Sequence, residues 1–286
     1  MKREWILTLA VAVAMLTVAC TGISLPNIKR VEVGETQSKN IRVPAPDGGA
    51  EQTLEIAMGA GRLTVASGAD DALVDGTVEY NIAEIEPEVW TSDGQVRIKQ
   101  GKLDGVPSFD EGLVNKWDLR LGNTPMELTL NVGAASADIE LGGLALTELD
   151  VSQGASSFDL TFSEANQAEM GSFDVVAGAS KMNLSGLANA NAAQVTFKGG
   201  AGSYTLRFDG ELRRDLEVTI EAGLGQMVII VPEGVAAEVT FEGAATDVDA
   251  VHEWERTDSG FVLPGEGPTI TFQIKMGVGG LELRNK

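Results

Sequence analysis

Apolar and polar residues alternate in short runs along most of the chain after residue 35, and glycine-containing turns separate the runs. This period of two is typical of β-strands with one buried face, and the helical spacing of three and four is almost absent. The pattern also repeats. Val195 and Phe197 lie five and three positions before Gly200, and Tyr204 and Leu206 lie four and six positions after it.

The same arrangement recurs at seven other places, and this repetition predicts the architecture. The eight predicted structural corners are Gly59, Gly133, Gly154, Gly178, Gly200, Gly223, Ala244 and Gly277. From Gly133 to Ala244, consecutive corners are 21 to 24 residues apart. The two residues that follow each corner are mostly small.

The spacing of the apolar residues requires a turn at each corner. Apolar residues two positions apart share one face of a strand, whereas Phe197 and Tyr204, seven positions apart, would lie on opposite faces of a straight strand. Both pairs enter one core only if the chain bends between them, and glycine supplies the positive φ or the close approach that such a corner needs.

We therefore predict an all-β fold, a β-solenoid of β-helix type with rungs of about 21–24 residues. Successive corners would stack at strand spacing, about 4.8 Å, which explains the small residues beside them. The main alternative is an antiparallel meander folded as a sandwich. In a meander, however, separate hairpin turns would have no reason to repeat the same three small residues at the same position.

Two longer spacings divide the predicted solenoid, which spans residues 36–286. Residues 36–125 are predicted to form degenerate N-terminal rungs, residues 126–250 regular rungs, residues 251–268 a hairpin insertion, and residues 269–286 a C-terminal rung. Insertions in solenoids project from one face and often carry binding. Trp254 and Phe261 in the insertion are therefore candidate partner contacts. The alternative for Trp254 is that it caps the core.

The N-terminus has the anatomy of a signal peptide over residues 1–19, because Lys2 and Arg3 precede an apolar run that is short for a membrane span. The run ends in Thr-Val-Ala-Cys, which resembles the cleavage box of bacterial lipoproteins. The resemblance implies that Cys20, the only cysteine, is acylated and that residues 20–35 form a tether. Ordinary secretory cleavage after Ala19 is the alternative. We expect an extracytoplasmic protein of the bacterial cell envelope, lipid-anchored to the membrane.

Charge narrows the range of partners. The chain has 21 Lys and Arg against 42 Asp and Glu, a net charge of −21. Nucleic acid requires a basic surface, so it is excluded as a partner, and simple electrostatic docking on anionic lipid is disfavoured. The expected partners are the membrane, through the lipid, and an envelope protein or a polysaccharide. The pattern predicts no particular oligomeric state.

Candidate chemical sites are weak. The stretch KGGAGS, from Lys198 to Ser203, resembles a phosphate-binding loop, but a strand rather than a helix follows it, so no cofactor is predicted. His252 is the only histidine, which disfavours a zinc site. Carboxylates such as those of Asp247 and Asp249 could serve a glycosidase or calcium, yet no motif organises them. We predict no catalytic, cofactor-binding or metal-binding residue.

The stretches Leu54–Tyr80 and Trp117–Leu144 and the recurring Gly-Ala corners resemble the toast-rack family of bacterial envelope proteins, also described as candidate adhesins. Related proteins are described as cell-wall-active antibiotic response proteins. The resemblance implies a β-solenoid and supplies no catalytic residues. We therefore expect a non-catalytic module for interaction, adhesion or envelope sensing rather than an enzyme. The alternatives are a polysaccharide-active enzyme with carboxylates on one β-helix face and a structural spacer.

Overall fold

The computed structural model describes residues 30–103, 106–107, 112–251 and 253–286. The predicted signal peptide, Cys20, most of the tether and His252 lie outside these residues. The described part is all-β, as predicted, with three short 3₁₀ helices at Asp47–Gly49, Ala83–Ile85 and Leu187–Ala190. None of the helices within it is long and apolar enough to cross a membrane.

Eighteen strands make up this part of the chain. They are β1 (Arg30–Val31), β2 (Gln37–Pro44), β3 (Gln52–Ser67), β4 (Ala72–Tyr80), β5 (Pro87–Ser92), β6 (Gln95–Gln100), β7 (Val106–Pro107), β8 (Asn115–Leu121), β9 (Met126–Glu140), β10 (Leu146–Gln153), β11 (Ser157–Thr161), β12 (Met170–Ser185), β13 (Ala192–Arg207), β14 (Leu216–Val231), β15 (Ala236–Ala250), β16 (Glu255–Arg256), β17 (Gly260–Leu263) and β18 (Thr269–Asn285). All except β1 and β7 belong to one 16-stranded sheet.

The long strands stack in parallel, corner upon corner. Strand β9 follows β3, β10 and β11 share the next level, and β12, β13 and β14 continue the stack. The pairing keeps the repeat positions in register: Phe197 pairs with Val175 on one side and with Ile220 on the other. Each predicted repeat therefore forms one level of the stack.

The core lies inside the bend of each strand. In β12, Phe173 and Val175 are buried before the corner, and Met182 and Leu184 are buried after it. The first pair has odd numbers and the second even numbers, so the buried face switches at Gly178. This switch is the bend that the spacing of seven residues required, and it brings both halves of each strand onto one core.

Of the two predicted reasons for glycine at the corners, a positive φ and a close approach, only the second applies. No predicted corner glycine has a positive φ, so that explanation is wrong. The left-handed values occur two residues later, at Gly61, Gly225 and Gly279, with φ of 136°, 135° and 148°. At the corners the requirement is close approach, because a Cβ on Gly178 would lie 2.3 Å from the carbonyl oxygen of Gly154.

The levels do not follow chain order at the C-terminal end. Strand β18 lies between β14 and β15, so Gly277 stacks on Gly223 and β15 becomes the outermost long strand. The more apolar strand takes the inner place: Phe272, Ile274 and Leu283 of β18 are at most 1% exposed. The hairpin of β16 and β17 carries the chain from the outer level back to the inner one.

The N-terminal third forms one split level and an antiparallel cap. Strand β6 pairs in parallel with the first half of β3, and β8 pairs in parallel with its second half. Strands β5, β4 and β2 then add antiparallel pairs at this end. In the split level, two separate strands pair with the two halves of β3, whereas one bent strand does so elsewhere in the stack.

Candidate functional site

A shallow groove runs beside the stacked corners, and we call it the corner groove. One cavity of about 560 Å³ is lined by Gly59, Gly133 and Gly154 with their neighbours, and a second of about 480 Å³ is lined by Gly200, Gly223 and Gly277 with theirs. Val176 lines both cavities, so they adjoin at its side chain, and together they make up the corner groove. Because glycine backbone makes up much of the lining, a ligand can approach the main chain closely there.

One wall of the groove consists of the residues two positions before each corner. In spatial order these are Ala57, Asn131, Ser152, Val176, Lys198, Glu221, Lys275 and Glu242. Lys99 of β6 pairs with Ala57 and extends the wall at the N-terminal end. The last four alternate in charge, and Lys275 Nζ lies 3.6 Å from a carboxylate oxygen of Glu242. Each such exposed pair contributes roughly 0.2–1 kcal/mol. Lys198 of the KGGAGS stretch is thus one member of an alternating column.

An exposed apolar ridge flanks the corners on the other side. It consists of the residues one position after the corners, namely Ala60, Ala134, Ala155, Ala179, Ala201, Leu224 and Val278. Most are alanine, but Leu224 and Val278 are large, lie opposite each other on adjacent strands, and are 55% and 50% exposed. Adjacent exposed aliphatic side chains of this kind are typical of an interaction surface.

Carboxylates also form pairs on an outer face. Asp150 of β10 lies in register with Asp174 of β12, and the pKa of Asp150 is raised, first by partial burial and then by the charges of Asp174 and Glu127. Asp150 is nevertheless exposed to solvent. In contrast, the hydrogen bond and charge of Arg42 lower the pKa of Asp71. Within the described ranges, no three acidic, histidine or cysteine side chains gather in a way that could hold a metal ion.

The two predicted aromatic contacts lie in different surroundings. Trp254 is only 7% exposed and packs within the core, so its prediction as an exposed partner contact is wrong and the core-capping alternative describes it. A charged loop carries it, but its indole belongs to the buried apolar cluster. Phe261 on β17 is half-buried, and the Arg256 guanidinium lies 5.9 Å from its ring centroid.

Sequence reasoning noted Trp90 among the aromatic residues outside the regular repeats but selected no contact there, and it missed Leu224 and Val278. Trp90 on β5 is 48% exposed beside exposed Val89, and the Arg97 guanidinium lies 5.1 Å from the Trp90 ring centroid. Both residues are exposed, so two consecutive apolar residues in a strand with polar neighbours were the available signal. For Leu224 and Val278, the available signal was a large residue in a column of alanines.

Comparison with known proteins finds a family model that matches slightly less than half of the chain. Residues 32–171 match the family model described as the N-terminal domain of toast_rack, DUF2154. No curated protein matches the chain.

Several solved structures resemble the chain at low identity. A candidate cell adhesion protein from Clostridium sporogenes is 19% identical, with 88% of this chain and 100% of the other covered and a TM-score of 0.48. A candidate adhesin from Parabacteroides distasonis is 12% identical over 89% and 100%, with a TM-score of 0.46. A candidate adhesin from Bacteroides fragilis is 10% identical over 89% and 99%, with a TM-score of 0.42. No residue role is transferred from them.

Proposed function

The chain belongs to the toast-rack family through residues 32–171, and we propose on that basis that it is a non-catalytic β-solenoid of the bacterial cell envelope that binds a partner protein along its corners. The observation that carries the proposal is the exposed pair of Leu224 and Val278 on the apolar ridge. Covering the exposed half of each side chain would contribute about 1 kcal/mol, taking half of the value for full burial.

The chemistry of the corner groove favours a protein over a polysaccharide. Its lining is glycine backbone, aliphatic side chains such as Val176, and a wall of mixed charge. Protein interfaces combine an apolar centre with a polar rim in this way. Among the described residues, the large aromatic ring that is most exposed is that of Trp90, and it lines neither cavity of the groove. A sugar would stack on such a ring.

Site-specific cross-linking tests the proposed surface. A photo-reactive benzoyl-phenylalanine in place of Leu224 should form an adduct with one envelope protein in intact cells. The matched control carries the same group in place of Glu217, an exposed residue of the same strand that lies away from the corner. Leu224→Glu combined with Val278→Glu should remove the interaction detected by a cross-linker at the neighbouring Ala201. Equal adducts from Leu224 and Glu217 would contradict a specific surface.

The membrane anchor is part of the proposal. We expect Cys20 to be acylated and the segment 20–35 to tether the domain outside the cytoplasm. Metabolic labelling with palmitate should mark the wild-type protein and not Cys20→Ser. Label that persists in the variant would eliminate Cys20 as the site of attachment.

A polysaccharide-active enzyme is the second candidate, because Asp150 has a raised pKa beside Asp174, as a general acid beside a second carboxylate would. Asp150 is exposed to solvent, however, and neighbouring carboxylates on the outer face of a sheet need no catalytic role. Incubation of the purified protein with cell-wall polysaccharide separates the candidates. Under our proposal no reducing ends are released; release that Asp150→Asn abolishes would establish the enzyme instead.

A further inference from the structure

The two ends of the stack are covered differently. At the N-terminal end, β6 covers the first half of β3 and β8 covers the second half. Beneath β8, the core residues Leu63 and Val65 are fully buried. Both halves of the first complete rung are therefore sealed by paired strands.

At the C-terminal end only one half is covered. Strand β17 pairs with residues Ala237–Thr240, the first half of β15. Among the described strands, none pairs with the outer side of residues 241–250. Half of a rung thus presents a free strand edge, the backbone feature that accepts an added strand.

The core is correspondingly incomplete at this edge. Phe241, Val248 and Ala250 occupy core-facing repeat positions but are only partly buried. Their partners in β18, Ile274, Leu281 and Leu283, are at most 1% exposed. A cavity of about 490 Å³ lies between Phe241 and Val248 on one side and the hairpin segment 256–261 on the other.

We propose that this open half-rung, residues 241–250 with the adjacent cavity, docks an extended segment of a partner protein as an additional β-strand. This surface is the outer edge of β15, and it shares only Glu242 with the wall of the corner groove. Strand β8 shows what such an occupant looks like, because it covers the equivalent half at the other end. Its Trp117, Leu119 and Leu121 are buried, and they alternate with polar residues that face outward.

The charges at the edge specify the outward side chains of the occupant. Asp247 and Asp249 are exposed and alternate with the inward-facing Val248 and Ala250. In-register neighbours on adjacent strands interact, and opposite charges there are favourable. The occupant should therefore alternate apolar residues, opposite Val248 and Ala250, with lysine or arginine, opposite the two aspartates.

The same charges disfavour a second copy of this chain as the occupant. Pairing two β15 edges would bring Asp247 and Asp249 of both copies close together, and like charges at paired positions are destabilising. Glu282 adds a further negative charge beside Asp249, and Arg284 already donates a hydrogen bond of 2.5 Å to Glu282. Arg256 lines the cavity together with Asp247, but its guanidinium lies over the ring of Phe261. The edge is thus protected against self-association and open to a basic strand.

Fluorescence anisotropy with labelled peptides tests the proposal. The probe is a peptide of about eight residues, a common strand length, that alternates valine with lysine. One control peptide has the same composition with the lysines and valines in separate blocks, and another replaces lysine with glutamate. The alternating lysine peptide should bind at least about ten-fold tighter than either control, a difference of about 1.4 kcal/mol. Equal binding of the block peptide, or no binding of the alternating one, overturns the proposal.

Charge reversal locates the site. Asp247→Lys with Asp249→Lys should reverse the preference in favour of the glutamate peptide. The matched control is Asp138→Lys with Asp159→Lys, an exposed, in-register pair in the same outer column at the middle of the stack. An equal effect of both double variants would mean that net charge alone drives binding, and it would overturn the proposal.

Two further measurements separate the other outcomes. Val248→Lys places a charge at the open core edge and should abolish peptide binding while the circular dichroism spectrum is retained. If the wild-type protein sediments as a dimer that this substitution dissociates, the occupant is a second copy and the proposal is wrong. Leu224→Glu with Val278→Glu should leave peptide binding unchanged, so failure of the corner surface and failure of this edge are distinguishable.

Discussion

The corner glycines provide the sharpest test of how this fold is held together. In Gly178→Ala, the new Cβ would lie 2.3 Å from the Gly154 carbonyl oxygen, whereas ordinary contacts begin at 3.4 Å. The two strands would have to separate by about 1 Å at the corner. Strands pair at about 4.8 Å, so such a shift weakens backbone hydrogen bonds on that side of β12.

The expected cost follows from the rigidity of this contact. Overpacking in a well-packed interior typically costs 1–3 kcal/mol, and because the obstacle is backbone rather than a flexible side chain we expect about 2–3 kcal/mol. For a domain of this size, 1 kcal/mol shifts Tm by roughly 2–4 °C. Gly178→Ala should therefore lower Tm by about 4–12 °C in a calorimetric melt.

Gly171 supplies the matched control on the same strand. A Cβ there would meet only the Thr147 carbonyl oxygen, at 3.8 Å, an ordinary contact. Gly171→Ala should leave Tm within about 2 °C of wild type or raise it slightly, because alanine restricts the unfolded chain. If both variants melt at the same temperature, close approach between stacked corners does not limit stability and the account of the corner is refuted.

Three further substitutions test individual side chains. Burial raises the pKa of Tyr204, so wild type should lose stability above about pH 10 as that group ionises, and Tyr204→Phe should not; identical Tm profiles from pH 8 to 11 would contradict this. Burial and Asp174 raise the pKa of Asp150, so the ionised form disfavours the fold. Asp150→Asn should therefore raise Tm at pH 7, and the gain should shrink as the pH falls toward about 4, where the carboxyl of the wild type is protonated in the folded protein; a gain that is the same at pH 7 and pH 4 would contradict this. Trp254→Ala should cost about 3–5 kcal/mol as a core truncation, while Trp254→Phe should cost far less; an unchanged Tm in Trp254→Ala would place the side chain outside the core. Its Nε1 has no hydrogen-bond partner in the described part of the chain, so phenylalanine forfeits none.

Local patterns predicted the interior of each rung because they encode local constraints. Alternation at Val195 and Phe197 specified which face is buried, and the odd spacing to Tyr204 required the bend. Pairing of these positions with their counterparts follows, since a one-residue slip would expose every core side chain. The small residues at the corners reported the close approach itself.

The candidate surfaces depended on relations that no local window contains. Leu224 and Val278 are 54 positions apart in the sequence, yet they are neighbours because β18 lies beside β14. Trp254 lies among charged residues in the sequence but is buried in the core. Composition around a residue does not report which distant strand covers it.

The sequence by itself determined an all-β chain of repeating bent strands, with the inward residues of each rung in place. Side-chain alternation and glycine placement act within a few residues, so they can be recognised along the chain. Only the tertiary structure decided that β18 lies inside β15 and that none of the described strands covers half of the final rung. Those outcomes depend on which strand buries more apolar surface when placed between two neighbours, a comparison made across the whole stack.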